Sequence, residues 1–268
     1  MELSDAAVAV VAAEAGADVV ARDYGRKPAR YQKSATDFAT QTDLDAEQAI
    51  AAVLSRHRPD DARTGEEFGH TGDAEAPRRW LVDPLCGTLN FAATTPLAVV
   101  NVALSERGDV RVAAAADPTS KEVFWTDGAG SFLRLHDTDE LLIPTASSNL
   151  IDINCTGPID RPFVGGQLVS DPRLRARFSP RVISSSLAVA WVAAGRRAAY
   201  VSDGYFRDNL HFAAGIALCE AVGCTISDLA GDPLHTGRGL VIAADPETHN
   251  KILSLVRPYL DGGLTARA

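Results

Sequence analysis

The stretch Trp80-Leu81-Val82-Asp83-Pro84-Leu85-Cys86-Gly87-Thr88-Leu89-Asn90-Phe91 decides how the rest of the chain is read. Its first three residues are of strand-forming type, so they deliver Asp83 to a Pro-containing turn, after which Gly87-Thr88 opens a helix. Such a turn can bind phosphate. The first N–H groups of a helix lack partners and carry partial positive charge, and a glycine lets an anion come close to the main chain. A carboxylate next to a phosphate cradle implies a cation between them.

Two further acidic clusters bear on the same chemistry. In 33–43, Lys-Ser-Ala-Thr-Asp-Phe-Ala-Thr-Gln-Thr-Asp, the run ends on Asp43 at a helix start, and Glu47 follows one turn later on the same face. Gly65-Glu66-Glu67 sets two carboxylates after a glycine in a loop. Paired acids beside a phosphate site hold hard cations such as Mg²⁺, which take oxygen ligands and keep waters. Metal-assisted phosphoester hydrolysis follows, one metal activating water and a second stabilising the leaving oxygen.

Composition limits the alternatives. The 268 residues are 46% hydrophobic and 23% charged, enough to bury a full core. Thirty-five acidic against 26 basic side chains give a formal charge of -9, which disfavours nucleic acid as a partner and requires local cations if the ligand is a phosphate. Cys86, Cys155, Cys219 and Cys224 form no C-x-x-C pair and read as reduced thiols. The Ala-rich run 3–21 is interrupted by Asp5, Glu14 and Asp18, so it reads as an amphipathic helix capped by Ser4, not as a leader or a membrane span. The expected location is the cytoplasm.

Alternating helix and strand signals predict two α/β halves, residues 1–143 with the acidic motifs and residues 144–268 completing the site. In the first half, a second helix over 43–55 precedes strands at 97–104, 110–116 and 123–125, which form a meander facing helices. In the second half, strands are expected at 150–155, 164–169, 199–202, 225–228 and 240–244. Helices are expected at 187–194, closed by Gly195, at 209–222 and after Pro246.

Taken together, the motifs resemble the inositol monophosphatase family, whose pattern is D-x-x-T-x-x-D-x-x-x-E, then G-E-E, W-x-x-D-P-x-D-G-T-x-N-F and a late W-D-x-A-A-G. Here these are Asp37, Thr40, Asp43 and Glu47; Gly65-Glu66-Glu67; Trp80, Asp83-Pro84, Gly87-Thr88 and Asn90-Phe91; and Ala213-Ala214-Gly215 preceded by Leu210-His211. The resemblance implies an α/β layered sandwich of alternating α-β-α-β-α layers, a homodimer, and Mg²⁺-dependent hydrolysis of a small phosphorylated cyclitol, sugar or nucleotide. It implies a first metal on Glu66, Asp83 and the Leu85 carbonyl, phosphate on the N–H groups of Gly87 and Thr88, and a water oriented by Glu66 and Thr88 with Asp43 in support. Asp203 and Asp208 are expected to contact substrate hydroxyls.

The second metal of the family would fall on Asp83, Cys86 and His211, where two ligands have changed type. Three readings stay open. A thiolate, an imidazole and a carboxylate suit a softer metal such as Zn²⁺ or Fe²⁺. Alternatively only one metal binds, and His211, with Asp208 near it, acts as acid or base in an elimination or cyclisation from which phosphate leaves. The third is a protein that binds a phosphorylated ligand without turning it over.

Overall fold

The computed structural model describes residues 2–34, 38–157, 163–206 and 209–260. The elements run α1 (Asp5–Asp23), β1 (Arg30–Gln32), β2 (Phe38–Thr40), α2 (Gln41–His57), β3 (Ala62–Gly65), β4 (Gly69–Thr71), β5 (Arg78–Cys86), α3 (Thr88–Ala92), β6 (Val99–Glu106), β7 (Asp109–Ala116), β8 (Val123–Thr126), β9 (Ser131–Leu135) and β10 (Thr138–Leu141). They continue with β11 (Leu150–Ile153), α4 (Val164–Ser170), α5 (Pro172–Arg175), β12 (Ser179–Val182), α6 (Leu187–Ala193), β13 (Ala199–Ser202), α7 (Leu210–Ala221), β14 (Thr225–Ser227), β15 (Leu240–Ala243) and α8 (Pro246–Val256).

The chain forms two compact units. The first comprises Met1–Leu142, Ser185–Ala190 and Leu210–Ala221, so two stretches from beyond residue 143 belong with the N-terminal part. Its sheet has the order β10-β9-β8-β7-β6-β5-β3-β4, antiparallel from β10 to β5 with a parallel β3–β5 pair. Successive side chains of a strand point to opposite faces, and here both faces are used. Trp80, Val82, Val100, Val102, Leu104, Val112 and Ala114 pack on one face with the apolar sides of α1 and α2. Ala103 and Ala113, of opposite parity, meet Ala214 and Ala217 of α7 on the other. The small residues let α7 lie close to the sheet. Helix α1 begins as expected, its Ser4 hydroxyl accepting the Ala7 N–H at 3.2 Å.

The second unit comprises Ile143–Ser184, Trp191–Asn209 and Val222–Ala268. Its sheet has the order β12-β11-β13-β15-β14, with β11 parallel to both neighbours and the remaining pairs antiparallel. Ile151, Ile153, Ala199, Val201, Val241 and Ala243 form its core with Leu168, Leu174, Ile252 and Leu255 from the helices. Mixed sheets flanked by helices make this an α/β layered fold.

Two local expectations are corrected. Residues 164–169 form a helix, not a strand: Val164 and Leu168 are both fully buried, an i, i+4 spacing that places them on one helical face. The strand before the phosphate motif does not stop at Asp83 but runs through Pro84 to Cys86.

Candidate functional site

The first unit builds the site around an irregularity in β5. In its ladder with β6, Asp83 faces Asn101 and Cys86 faces Val99, so three steps along β5 match two along β6. Residues three apart in a regular strand point to opposite faces; the extra residue of the bulge returns Cys86 to the face of Asp83. Asp83 is fully buried, and its Oδ1 accepts the Leu85 N–H at 3.1 Å. Gly87 follows with φ 109°, and a Cβ there would lie 2.5 Å from the Leu97 carbonyl oxygen, so the position needs glycine on both counts. Asn90 fixes the same carbonyl through its Nδ2 at 3.0 Å.

Helix α2 contributes from its first two turns. Asp43 closes a capping box, its Oδ2 accepting the Thr40 N–H at 2.8 Å and the Thr40 hydroxyl at 2.5 Å. Its other oxygen lies 3.0 Å from Thr88 Oγ1, which is also 3.1 Å from the Leu85 carbonyl oxygen. Burial, opposed by these hydrogen bonds, raises Asp43 to about 6. One turn on, Glu47 accepts the N–H groups of Glu67 at 2.7 Å and Phe68 at 3.0 Å. It clamps the loop that carries Glu66. The sequence marks Glu47 as the last residue of the first motif and a neighbour of Asp43 on the helix face, without its partners; the glycine before Glu66-Glu67 is the available signal that something packs against that turn.

Charge converges on Glu66 and Asp83. His211, in the first turn of α7, places Nδ1 2.7 Å from Asp83 Oδ2 and 3.8 Å from Glu66 Oε2. Lys33 Nζ lies 2.9 Å from Glu66 and 2.6 Å from Glu67. Burial and then the charge of Asp83 push Glu66 up to about 8, against the pull of His211 and Lys33. Burial alone would depress His211, but the hydrogen bond and charge of Asp83, with Glu66, raise it to about 9. A buried and a half-buried carboxylate that draw in two side-chain cations form a place where a metal ion would be stabilised. Glu66, Asp83 and the Leu85 carbonyl offer only oxygen, which fits Mg²⁺.

Asp83, Cys86 and His211 each offer a donor atom within 4.8 Å of the others. The Cys86 sulfur accepts the Ser186 N–H at 3.4 Å. Burial, then the charge of Asp83, hold the thiol well above its usual range in spite of Ser186, so Cys86 is not an activated nucleophile. Buried Asn101 ties this region together, donating to Ser186 Oγ at 2.9 Å and to the His211 carbonyl oxygen at 3.3 Å. Neither Asn101 nor the Lys33–Glu66 pairing is legible in the sequence, since each depends on chain segments far apart.

Asp203 lies buried in the second unit, where Arg238 Nε and Nη2 reach its two oxygens at 2.6 and 2.8 Å and the Val164 N–H donates to it at 2.9 Å. Its geometry is that of an internal ion pair anchoring the start of α4. Asp37 and Asp208 lie outside the described residues.

Comparison with known proteins places the chain in a family. The family model described as "Inositol monophosphatase family" matches residues 2–261. The inositol-1-monophosphatase of Caulobacter vibrioides is 31% identical over 264 residues, covering 92% of this chain and 99% of its own length. The Nus factor SuhB of Escherichia coli K12 is 30% identical, with 96% and 97% covered. Among solved structures, the extragenic suppressor protein SuhB of Bartonella henselae superposes with a TM-score of 0.81 at 26% identity, covering 93% of this chain and 97% of that one. The chain belongs to the inositol monophosphatase family, a family of metal-dependent phosphatases that act on small phosphorylated substrates and generally use Mg²⁺.

Proposed function

We propose that this protein is a divergent phosphomonoesterase acting on a small cyclitol, sugar or nucleotide phosphate. The observation that carries the reading is the convergence of Glu66 and Asp83 beside the Thr88–Asp43 hydroxyl–carboxylate pair. Glu66, Asp83 and the Leu85 carbonyl would hold Mg²⁺, whose chemistry when bound is Lewis-acid polarisation of the phosphate and acidification of water. The Thr88 hydroxyl, donating to Asp43, keeps its lone pairs for the proton of an attacking water, and ionised Asp43 fixes that orientation. Glu66 is the second acceptor for the water. The N–H groups of Gly87 and Thr88 would bind phosphate oxygens.

A second reading is favoured by the 2.7 Å contact between His211 and Asp83. An imidazole so oriented can serve as an acid in an elimination or cyclisation that releases phosphate, with Asp208 as its expected companion. The two readings are separated by assaying Mg²⁺-dependent phosphate release from inositol, sugar and nucleotide monophosphates, with the native protein beside Cys86→Asp/His211→Asp. Turnover by the native protein, lost in Glu66→Gln, supports hydrolysis. A silent native protein beside an active double variant refutes it and leaves elimination, cyclisation or ligand binding.

On family grounds we also expect a homodimer, which light scattering on the eluting peak would show. Among the described residues no helix is long and apolar enough to cross a membrane; a cytoplasmic location remains an expectation of the composition.

A further inference from the structure

We propose that Asp83, Cys86 and His211 form a site for a borderline-soft divalent cation such as Zn²⁺ or Co²⁺, and that this position is not a magnesium site. The inference rests on the reading of the same cluster as a metal centre, and it assigns the second position an ion of different chemistry from the first.

Three observations carry it. The donors are a sulfur, an imidazole nitrogen and a carboxylate oxygen, all within 4.8 Å of one another. Tetrahedral Zn²⁺, with bonds of about 2.0–2.3 Å, needs donors about 3.3–3.8 Å apart, so the 2.7 Å His211–Asp83 contact opens to admit the ion. Mg²⁺ demands six oxygens in near-octahedral array, and two of these three donors are not oxygen. Second, the set is assembled by the fold and not by sequence proximity, because the bulge in β5 returns Cys86 to the face of Asp83 and α7 supplies His211. Third, neighbouring groups hold the ligands in place. The Ser186 N–H points at the Cys86 sulfur, and Asn101 links Ser186 to the main chain of His211. Outer partners of this kind are what orient ligands at metal centres.

The test titrates the metal-stripped full-length protein with Co²⁺ and reads the near-ultraviolet sulfur-to-cobalt charge-transfer band. One band-forming equivalent is expected in the native protein and in Cys155→Ser, and none in Cys86→Ser. Cys86→Asp and His211→Asn should each weaken Co²⁺ and Zn²⁺ by at least the roughly 10–100-fold that loss of an outer partner costs. Far-ultraviolet circular dichroism establishes that each variant is folded, and if Cys86→Ser is not, His211→Asn carries the comparison.

A native protein that binds Co²⁺ without the band, a band that survives Cys86→Ser, or Mg²⁺ displacing Co²⁺ at equal concentration would each overturn the assignment. Phosphate release does not enter this readout. A protein that shows the band but hydrolyses nothing would refute the hydrolase reading alone, and one that hydrolyses with Mg²⁺ but shows no band would refute the site alone.

Discussion

Gly65→Ala should damage this protein through one contact. A Cβ at position 65 would lie 1.8 Å from Glu47 Oε1 and 2.4 Å from its Cδ, far inside van der Waals contact, although the backbone there is not in the left-handed region. The carboxylate must move, and in moving it releases the N–H groups of Glu67 and Phe68. A hydrogen bond to a charged group contributes about 1.5–3 kcal/mol, so losing most of two should cost about 3–5 kcal/mol. At roughly 2–4 °C per kcal/mol for a chain of this size, the melting temperature should fall by about 6–20 °C. Urea denaturation of the native protein, Gly65→Ala, Glu47→Ala and the double variant measures the coupling. Once Glu47 is truncated the methyl group has room, so Gly65→Ala should cost less than about 1 kcal/mol in that background. An undiminished cost there would refute the argument and point to the main chain.

Asp43 should contribute a limb to the acid side of the activity profile, below the ionisation of Glu66. Its carboxyl, raised to about 6, must be ionised to accept the Thr88 proton, so the rate should rise as pH passes upward through about 6. Asp43→Asn should flatten that limb and lower the plateau by about 10²-fold, as seen in a pH–rate profile. Asp171, held down to about 2 first by the Arg173 side chain and also by the Arg173 N–H and Tyr259, stabilises the folded form above its ordinary value near 3.8. That stability should disappear between about pH 4 and 2, and Asp171→Asn should remove this portion of the acid transition followed by urea midpoints against pH. Arg238→Ala leaves Asp203 buried without its cation and should cost about 3–5 kcal/mol in chemical denaturation. If Asp203 is an internal partner only, Asp203→Asn should lower stability and leave KM unchanged; a raised KM would restore it as a substrate contact.

Much of the fold follows from local patterns. Ser4 marks the start of α1, and the apolar runs at 97–104, 110–116 and 123–125 give the meander that the sheet contains. The 199–202 strand and the α7 helix lie within a residue of their expected bounds because their flanks carry turn residues and their interiors are mostly apolar. Residues 164–169 were misread because Val164, Leu168 and Val169 satisfy a short strand as well as a short helix, and only the buried side of each distinguishes them. Strands β9, β10 and β12 went unread because their half-exposed or polar residues give no clear alternation.

The sequence by itself determined which residue types are available for chemistry: Asp43, Glu66, Asp83 and Thr88 in motif order, with Cys86 and His211 standing where carboxylates were expected. Types and spacing are local properties, and the motifs preserve them. That Asp83, Cys86 and His211 share a site is implied by the resemblance, and the tertiary structure decided how they are brought together. By strand parity Asp83 and Cys86 should diverge, and it is the extra residue in the β5–β6 ladder that aligns them. Lys33 reaches Glu66 across 33 residues, and His211 reaches Asp83 across 128. Buried carboxylates must find positive charge wherever the fold can supply it, and no one-dimensional pattern records where that is.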